Sequence, residues 1–394
     1  MKNKFAYIIL LIVTVFINTS AYAGLFGSDE PQETQQQSPF PVDDKTFQEQ
    51  TKEFHFKPQE NPVLEFGVFL PKDWSQKEIE ATTNEFPAVD NSNTFSTLQR
   101  DMPTDVATFE SPFIQGQTLI LNVQSVPLYH EVSAKYWLER YLDIHDYLLI
   151  GEVKEKNEKE ASAAYTYMDN GISKSTKIRA LINSNVILLA SFSMPSNFEE
   201  PLSFLQTKSL DSFTLTNVLS EPIEKRANID LQGAISISYP KSWNINRQDV
   251  EDPRYMVLQL QSLEATGEME GKKEIKKVNG IIEIAAIRRR ESTSLAKEIG
   301  NLKSRLEESM HVTFNKMIES KNLKTSPRFT FSRYESYVAE MQDSEKLNKE
   351  IHIAVLGDDK WYIISFLYTP LKDADSYNWA RNVQSFSSIV KTIK

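Results

Sequence analysis

The chain has 394 residues, with 44 Lys plus Arg against 54 Asp plus Glu for a net charge of −10, and no cysteine. Lack of cysteine excludes a disulfide scaffold, a thiol nucleophile, a zinc ribbon and a cysteine-ligated iron–sulfur centre, and five scattered His offer little metal chemistry. An apolar share of 40% supports a substantial core, the length suggests about two domains, and 12 Gly with an acidic balance argue against glycine-built phosphate loops and polyanion binding.

The N-terminus runs Met1-Lys2-Asn3-Lys4, an apolar stretch over 5–17, then Asn18-Thr19-Ser20-Ala21-Tyr22-Ala23. A basic start, an apolar middle and small side chains at Ala21 and Ala23 make a cleavable secretory signal over 1–23, with the mature chain beginning at Gly24. The alternative is an uncleaved anchor, although the apolar stretch falls short of the roughly 20 residues that span a bilayer. The expected location is therefore periplasmic or secreted after cleavage at Ala23, with inner-membrane tethering as the alternative. Residues 24–60, rich in Gln and Pro, read as a flexible leader that buries too little apolar surface to offset its ordering entropy. Its Phe40, Phe47, Phe54 and Phe56 supply the alternative, docking on a partner or on the domain itself.

From residue 64 the sequence is organised twice over. Residues 64–74 read LEFGVFLPKDW and residues 234–243 read AISISYPKSW, an alternating apolar strand ending in Pro-Lys-x-Trp each time. Residues 186–195 (VILLASFSMP) and 361–370 (WYIISFLYTP) correspond in turn, and each is followed by Ser-Phe, at Ser212-Phe213 and Ser385-Phe386. Offsets of 169, 175 and 173 residues are nearly constant, so one fold used twice, as tandem domains, is expected.

In the first copy, 118–126 alternates as a strand, and 130–147 sets Ala134, Trp137, Leu138, Tyr141 and Ile144 at helical spacing on one face. Strands are predicted at 148–154, 161–168 and 177–194, the last broken by the turn Asn183-Ser184-Asn185, and a helix at 199–211. Residues 220–228, with Pro222 and Lys225-Arg226, read as a linker. In the second copy, strands are predicted at 235–239, 255–263 and 280–288, a helix at 294–310, and strands at 313–320 and 328–340. A hairpin of 351–356 and 361–368 turns at Gly357-Asp358-Asp359-Lys360, and a helix at 374–391 closes the chain. Consecutive strands with few helices make each copy α+β, an antiparallel sheet covered by helices.

A strand ending in Pro-x-x-Trp, a mid-chain helix, long antiparallel strands and a final helix carrying Ser-Phe together resemble the Mog1p/PsbP-like fold. The resemblance covers about 61–217 and 229–394 and is clearest at Pro240-Lys241-Ser242-Trp243 and 361–370. It implies two tandem Mog1p/PsbP-like domains, at 61–219 and 229–394, in an exported bacterial protein. It also implies a binding or assembly role, because known members share no catalytic set and offer no functional residues to carry over. The matching motifs are core and turn residues, which report fold and not activity. The tandem arrangement and a charged insertion at 263–279 depart from a single-domain member.

Few constellations carry chemistry. Trp74 and Trp243 read as plugs where the first strand of each copy ends, with ligand stacking as the alternative; Trp137, Trp361 and Trp379 read as core. His145-Asp146 sets an imidazole beside a carboxylate, but adjacent helical residues do not face each other, and there is no Gly-x-Ser-x-Gly elbow to activate. His55, His130, His311 and His352 lack metal-ligand spacing. Asp358 with Asp359, and Glu199 with Glu200, are the remaining metal candidates and read more simply as solvated turns. The basic clusters at 272–277 and 288–290 suit peripheral contact with anionic headgroups or an acidic partner, against a solvated-loop reading. The stripe Leu295, Ile299, Leu302, Leu306 and Met310 packs a helix on its own sheet, with a partner groove as the sharper alternative.

No residue is assigned a catalytic, cofactor-binding or metal role, and no cofactor is expected. Nucleic acid is not expected either, since no basic stripe interleaves with aromatics. The expected function is that of an exported, non-enzymatic binding or assembly factor of the bacterial envelope, with an envelope protein as partner. The alternatives are a carboxylate-based periplasmic hydrolase working in an interdomain cleft, and a membrane-tethered accessory subunit of a secretion or conjugation machine.

Overall fold

Residues 186–195 and 361–370 are apolar on both faces for most of their length, a pattern that requires cover on both faces of a sheet. In the computed structural model both segments are central strands. The structure describes residues 40–58, 61–77, 102–114, 116–270, 273–291, 294–324, 326–341 and 348–394. The signal at 1–23 and leader residues 24–39 lie outside the described residues.

The first half runs α1 (Asp44–Gln50), β1 (Thr51–Phe56), β2 (Phe66–Pro71), β3 (Ser75–Lys77), β4 (Thr104–Glu110), β5 (Ile120–Pro127), α2 (Ala134–Ile144) and β6 (Leu148–Asn157). It continues through β7 (Glu160–Asp169), β8 (Ile172–Asn183), β9 (Val186–Pro195), α3 (Glu199–Ser212) and β10 (Thr214–Leu215). The second half runs β11 (Arg226–Leu231), β12 (Ile235–Pro240), β13 (Trp243–Asp249), β14 (Tyr255–Glu270), β15 (Lys273–Arg288), α4 (Leu295–Met310) and β16 (Val312–Lys321). It ends with β17 (Phe331–Met341), β18 (Lys349–Gly357), β19 (Trp361–Pro370) and α5 (Ser376–Thr392).

Two seven-stranded antiparallel sheets share one strand order, β3-β4-β5-β9-β8-β7-β6 and β13-β14-β15-β19-β18-β17-β16. Each is covered on both faces. In the first, Phe109, Leu121, Ala190 and Phe192 pack under α3 and the small β1-β2-β10 sheet, while Ile178, Ala180, Ile187 and Leu189 pack under Trp137, Leu138 and Tyr141 of α2. In the second, Leu258, Ile284 and Leu356 meet Phe386 and Ile389 of α5 with the β11-β12 hairpin, and Val257, Ile353 and Val355 meet Leu302 and Leu306 of α4. Full burial of each such Leu or Phe contributes about 1.5–3 kcal/mol relative to exposure. The fold class is α+β, as the strand and helix pattern predicts. Helix α4 packs its stripe on its own sheet, with Leu302 and Leu306 buried and Leu295, Ile299 and Met310 partly so.

Several elements differ from the sequence reading. Half of the expected leader is folded: the Asp43 carboxylate and the Thr46 hydroxyl close a capping box on α1, and β1 pairs along β2 from Thr51 opposite Pro71 to Phe56 opposite Phe66. Phe47 is buried, and Phe54 and Phe56 pack on Phe109 and Phe66. These rings bury the apolar surface that the Gln and Pro content conceals, so the docking alternative holds for this segment. The linker at 220–228 is partly strand, since β11 begins at Arg226. Over its described residues, the charged insertion at 263–279 forms the outer part of the β14–β15 hairpin. Strands β3, β4, β10 and β13 are absent from the sequence reading. β13 is an exposed, polar edge strand with no apolar alternation to reveal it.

Candidate functional site

The two halves meet through helices α2 and α5. Tyr136 sets its ring edge-on to Trp379 at 5.7 Å between centroids, and the Arg140 guanidinium lies 4.1 Å over the Tyr377 ring. Lys372 Nζ sits 5.5 Å over Tyr136 and 5.2 Å over Trp379. Below this aromatic contact, Arg226 at the start of β11 reaches Glu131 at 3.2 Å and donates to the Ser388 hydroxyl at 2.8 Å.

Glu224 fastens the same seam. Its carboxylate accepts from the Glu131 N–H at 3.2 Å and the Ser242 N–H at 3.3 Å, one from each half. Burial pushes its carboxyl above the usual range, and the neighbouring Glu131 charge adds to this against the opposing pull of the two N–H groups and Arg381. A raised-pKa acid between the halves is the feature a hydrolase would need. Here, however, both oxygens hold backbone donors and the residue is 9% exposed, so its work is to join the halves.

An open cleft lies elsewhere, beneath α4. It has a volume of about 220 Å³, with Ala285, Ile287, Leu302 and Ile364 as apolar lining and Tyr255, Glu283, Glu298, Asn301 and Arg305 as polar lining. Strand alternation explains Glu283: it shares a face of β15 with Ala285 and Ile287, while Ile282, Ile284 and Ala286 face α5. A carboxylate 4% exposed on such a face requires partners. Arg305 of α4 supplies an ion pair and Gln259 donates at 3.2 Å. Burial raises the Tyr255 hydroxyl pKa, so it is a neutral phenol at pH 7.

The structure scatters the sequence candidates. Trp74 and Trp243 are buried plugs, Trp74 against Phe192, and Trp137 is core. Trp361 is half-buried against the second core, whereas Trp379 lies at the seam. His145 is exposed at the end of α2; its Nδ1 donates to the Tyr141 carbonyl at 2.8 Å and its ring stacks on Tyr147. Asp146, in the left-handed region at φ 53°, turns the chain into β6. Asp358 is a structural turn acid: the N–H groups of Lys360 and Trp361 donate to it at 2.7 Å and Arg328 at 2.6 Å. Burial alone would raise its pKa, but these donors outweigh it and hold the carboxyl below the usual range. Glu199 and Glu200 stand in the first turn of α3. Among the described residues, no group of three His, Asp or Glu is placed to hold a metal ion. Lys272 lies outside the described residues; Lys276 and Lys277 are exposed beside Ile275 and Val278. Arg289 is engaged with the Asp358 carbonyl and the Tyr362 ring.

One buried network escaped sequence reasoning. Glu350 and His352 share the face of β18 toward α5, with His352 Nε2 2.9 Å from Glu350 Oε1. The Tyr334 hydroxyl meets His352 Nδ1, and Trp379 Nε1 donates to Glu350 Oε2 at 2.9 Å. Burial keeps the Tyr334 phenol protonated. The clue was spacing of two in an apolar strand, which places both side chains on one face. At 1% exposure His352 is closed to substrate, and the network ties the seam to the second core.

No protein-family model matches the chain, and no curated protein matches it. Among solved structures, the chain is similar to cyanobacterial PsbP (CyanoP) from Synechocystis sp. PCC 6803 at 10% identity, over 41% of this chain and 92% of that one, with a TM-score of 0.30. It is similar to the Ran-binding protein Mog1p of Saccharomyces cerevisiae at 12% identity, over 43% of this chain and 95% of that one, with a TM-score of 0.30. It is also similar to the T6SS immunity protein TplEi of Pseudomonas aeruginosa at 9% identity, over 84% of this chain and 94% of that one, with a TM-score of 0.22. Among the described residues, no helix is long and apolar enough to cross a membrane.

Proposed function

We propose that the protein is an exported, non-enzymatic binding or assembly factor of the bacterial envelope, built from two PsbP-like domains. The first extends from about residue 40 to 219, taking in α1 and β1, and the second from 229 to 394. Export would follow cleavage after Ala23. The observation that carries this reading is the use of α2 as a docking surface inside the molecule, while its counterpart α4 borders an open cleft with an apolar lining and a charged rim. At about 220 Å³ the cleft falls below the roughly 300 Å³ at which small-molecule pockets begin. It therefore suits a side chain presented by another protein.

The test is affinity capture of the tagged full chain from gently solubilised envelopes of its native host. The partner should be stoichiometric and lost when Asn301 on the exposed face of α4 is replaced by Trp. A chain recovered without a partner, or with one indifferent to that substitution, would sink the reading. A secretion-system component among the captured chains would narrow the role toward immunity, the word used for the Pseudomonas neighbour. Sequencing of the purified N-terminus tests export: a start at Gly24 is expected, and an intact Met1 would favour tethering. The exposed Lys276 and Lys277 beside Ile275 and Val278 leave peripheral membrane contact as a secondary route, tested by flotation with anionic vesicles.

A further inference from the structure

Helices α2 and α4 occupy equivalent places, each crossing from the third strand of its sheet to the far edge strand. Each is closed by a left-handed residue, Asp146 at φ 53° and His311 at φ 51°. Six residues before that closure stands an arginine in both, Arg140 and Arg305. In the first half the arginine is covered: the Tyr377 ring lies 4.1 Å from the Arg140 guanidinium, and Tyr377 and Ile223 pack on the core beneath α2. In the second half Arg305 is 39% exposed, and among the described residues no ring lies over it. Beside it is the cleft.

We propose that this cleft receives an aromatic side chain from the protein partner, its ring stacked on Arg305 as Tyr377 stacks on Arg140. The inference rests on the binding reading above and adds the chemistry of what is bound. Three properties favour a ring. Ala285, Ile287, Leu302 and Ile364 give the cleft an apolar side against which a ring packs. The Arg305 guanidinium is anchored to buried Glu283 through Nη2 and is 39% exposed, so it is available to a stacking ring. Arg305 and buried Glu283 neutralise each other, which leaves Glu298 as the acid at the mouth; this disfavours an acidic side chain and admits a neutral phenol or indole with a basic neighbour.

The probe is N-acetyl-tyrosinamide, titrated into the full chain with labelled Ile and Leu methyl groups and followed by NMR. Saturable shifts confined to Ile287, Leu302 and Ile364 are expected, with a dissociation constant in the millimolar range. N-acetyl-glutamic acid amide should bind more weakly. Asn301→Trp, which fills the mouth while sparing the Arg305–Glu283 pair, should abolish the shifts. Arg305→Lys, which keeps the charge but loses the planar face, should weaken them by at least about threefold. The second variant decides the matter should the first not fold. Absence of shifts at these methyls, or shifts unchanged in the folded variant, overturns the inference. If the envelope partner is captured but the probe does not bind, the aromatic assignment fails and the binding role stands; if the probe binds and no partner is captured, the reverse holds.

Discussion

Replacement of Phe47 by Ala tests whether the segment before residue 60 belongs to the folded body. Phe47 is buried on α1 within the first core, and the Thr51 hydroxyl donates to its carbonyl at 2.6 Å. The helix is further tied by the Lys72 N–H to the Gln50 carbonyl at 3.0 Å and by a Lys208–Asp44 contact at 2.6 Å. A fully buried Phe→Ala costs about 3–5 kcal/mol. Phe47 lies at the margin of its core with 9% exposure, so the lower end, about 3 kcal/mol, applies. That loss falls first on the opening of α1 and β1 from β2, whose six register pairs run from Thr51 to Phe56. At 1.4 kcal/mol per tenfold, amide exchange over 51–56 should accelerate by roughly a hundredfold. Hydrogen exchange read by mass spectrometry on the full chain measures it, with exposed Gln48→Ala as a control expected to change stability by less than about 0.5 kcal/mol. Fast exchange of these amides in the wild type, or equal rates in both variants, would refute the docked segment and restore the flexible leader.

Three further outcomes follow from the structure. Gly280→Ala should cost about 1–3 kcal/mol in urea unfolding, since its Cβ would lie 2.6 Å from Asn382 Nδ2, and adding Asn382→Ala should recover part of the loss. Because burial raises the Glu224 pKa, the folded state holds that proton more tightly than the unfolded chain. The resulting stability is complete below the unfolded value of about 4.3 and is lost as pH rises through the folded one. Wild type should therefore lose ground to Glu224→Gln between mildly acidic and neutral pH, and a pH-independent difference would contradict the assignment. Asp358 runs the other way: its depressed pKa stabilises the fold above the unfolded value of about 3.9. Asp358→Asn should cost about 1.5–3 kcal/mol at neutral pH, and the deficit should shrink as the wild type is acidified through its folded value.

The α+β class was legible because its signal is periodic and local. The runs at 186–195 and 361–370 are apolar on both faces, and only a covered central strand satisfies that. Helix α4 announced its stripe by spacing alone, and Leu302 and Leu306 are indeed the residues it buries. What escaped is what depends on distance. Phe54 and Phe56 sit among Gln, Pro and charge, and their core value appears only once Phe66 and Phe109 are brought beneath them. The cleft was equally hidden, because Glu283 and Arg305 are 22 residues apart and are joined only by helix-on-sheet packing. Sequence proximity misled in the opposite sense at His145-Asp146, where the helix end turns the imidazole back onto the Tyr141 carbonyl.

The two sheets share a strand order but differ in the face each presents to its crossing helix, and electrostatics accounts for the difference. In the first half the sheet face near α2 carries Asp105, with Asn122 and Gln124 donating to it at 2.9 and 2.8 Å, an exposed cluster that can remain solvated. In the second half the corresponding face carries Glu283, buried to 4% exposure, and loss of its partner would leave an uncompensated charge at a cost of about 3–5 kcal/mol. Arg305 is therefore not free to leave the cleft when something enters it. An occupant meets a guanidinium already anchored through Nη2 to Glu283, which lowers the ordering cost at that contact. The same restraint makes Arg305→Ala a poor probe of binding, since it would injure the core and the surface together. Arg305→Lys retains the charge opposite Glu283 and removes the stacking plane. A partner that tolerates Ala but not Lys at this position would contradict this account, because the stacking loss cannot exceed the loss of stacking and charge combined.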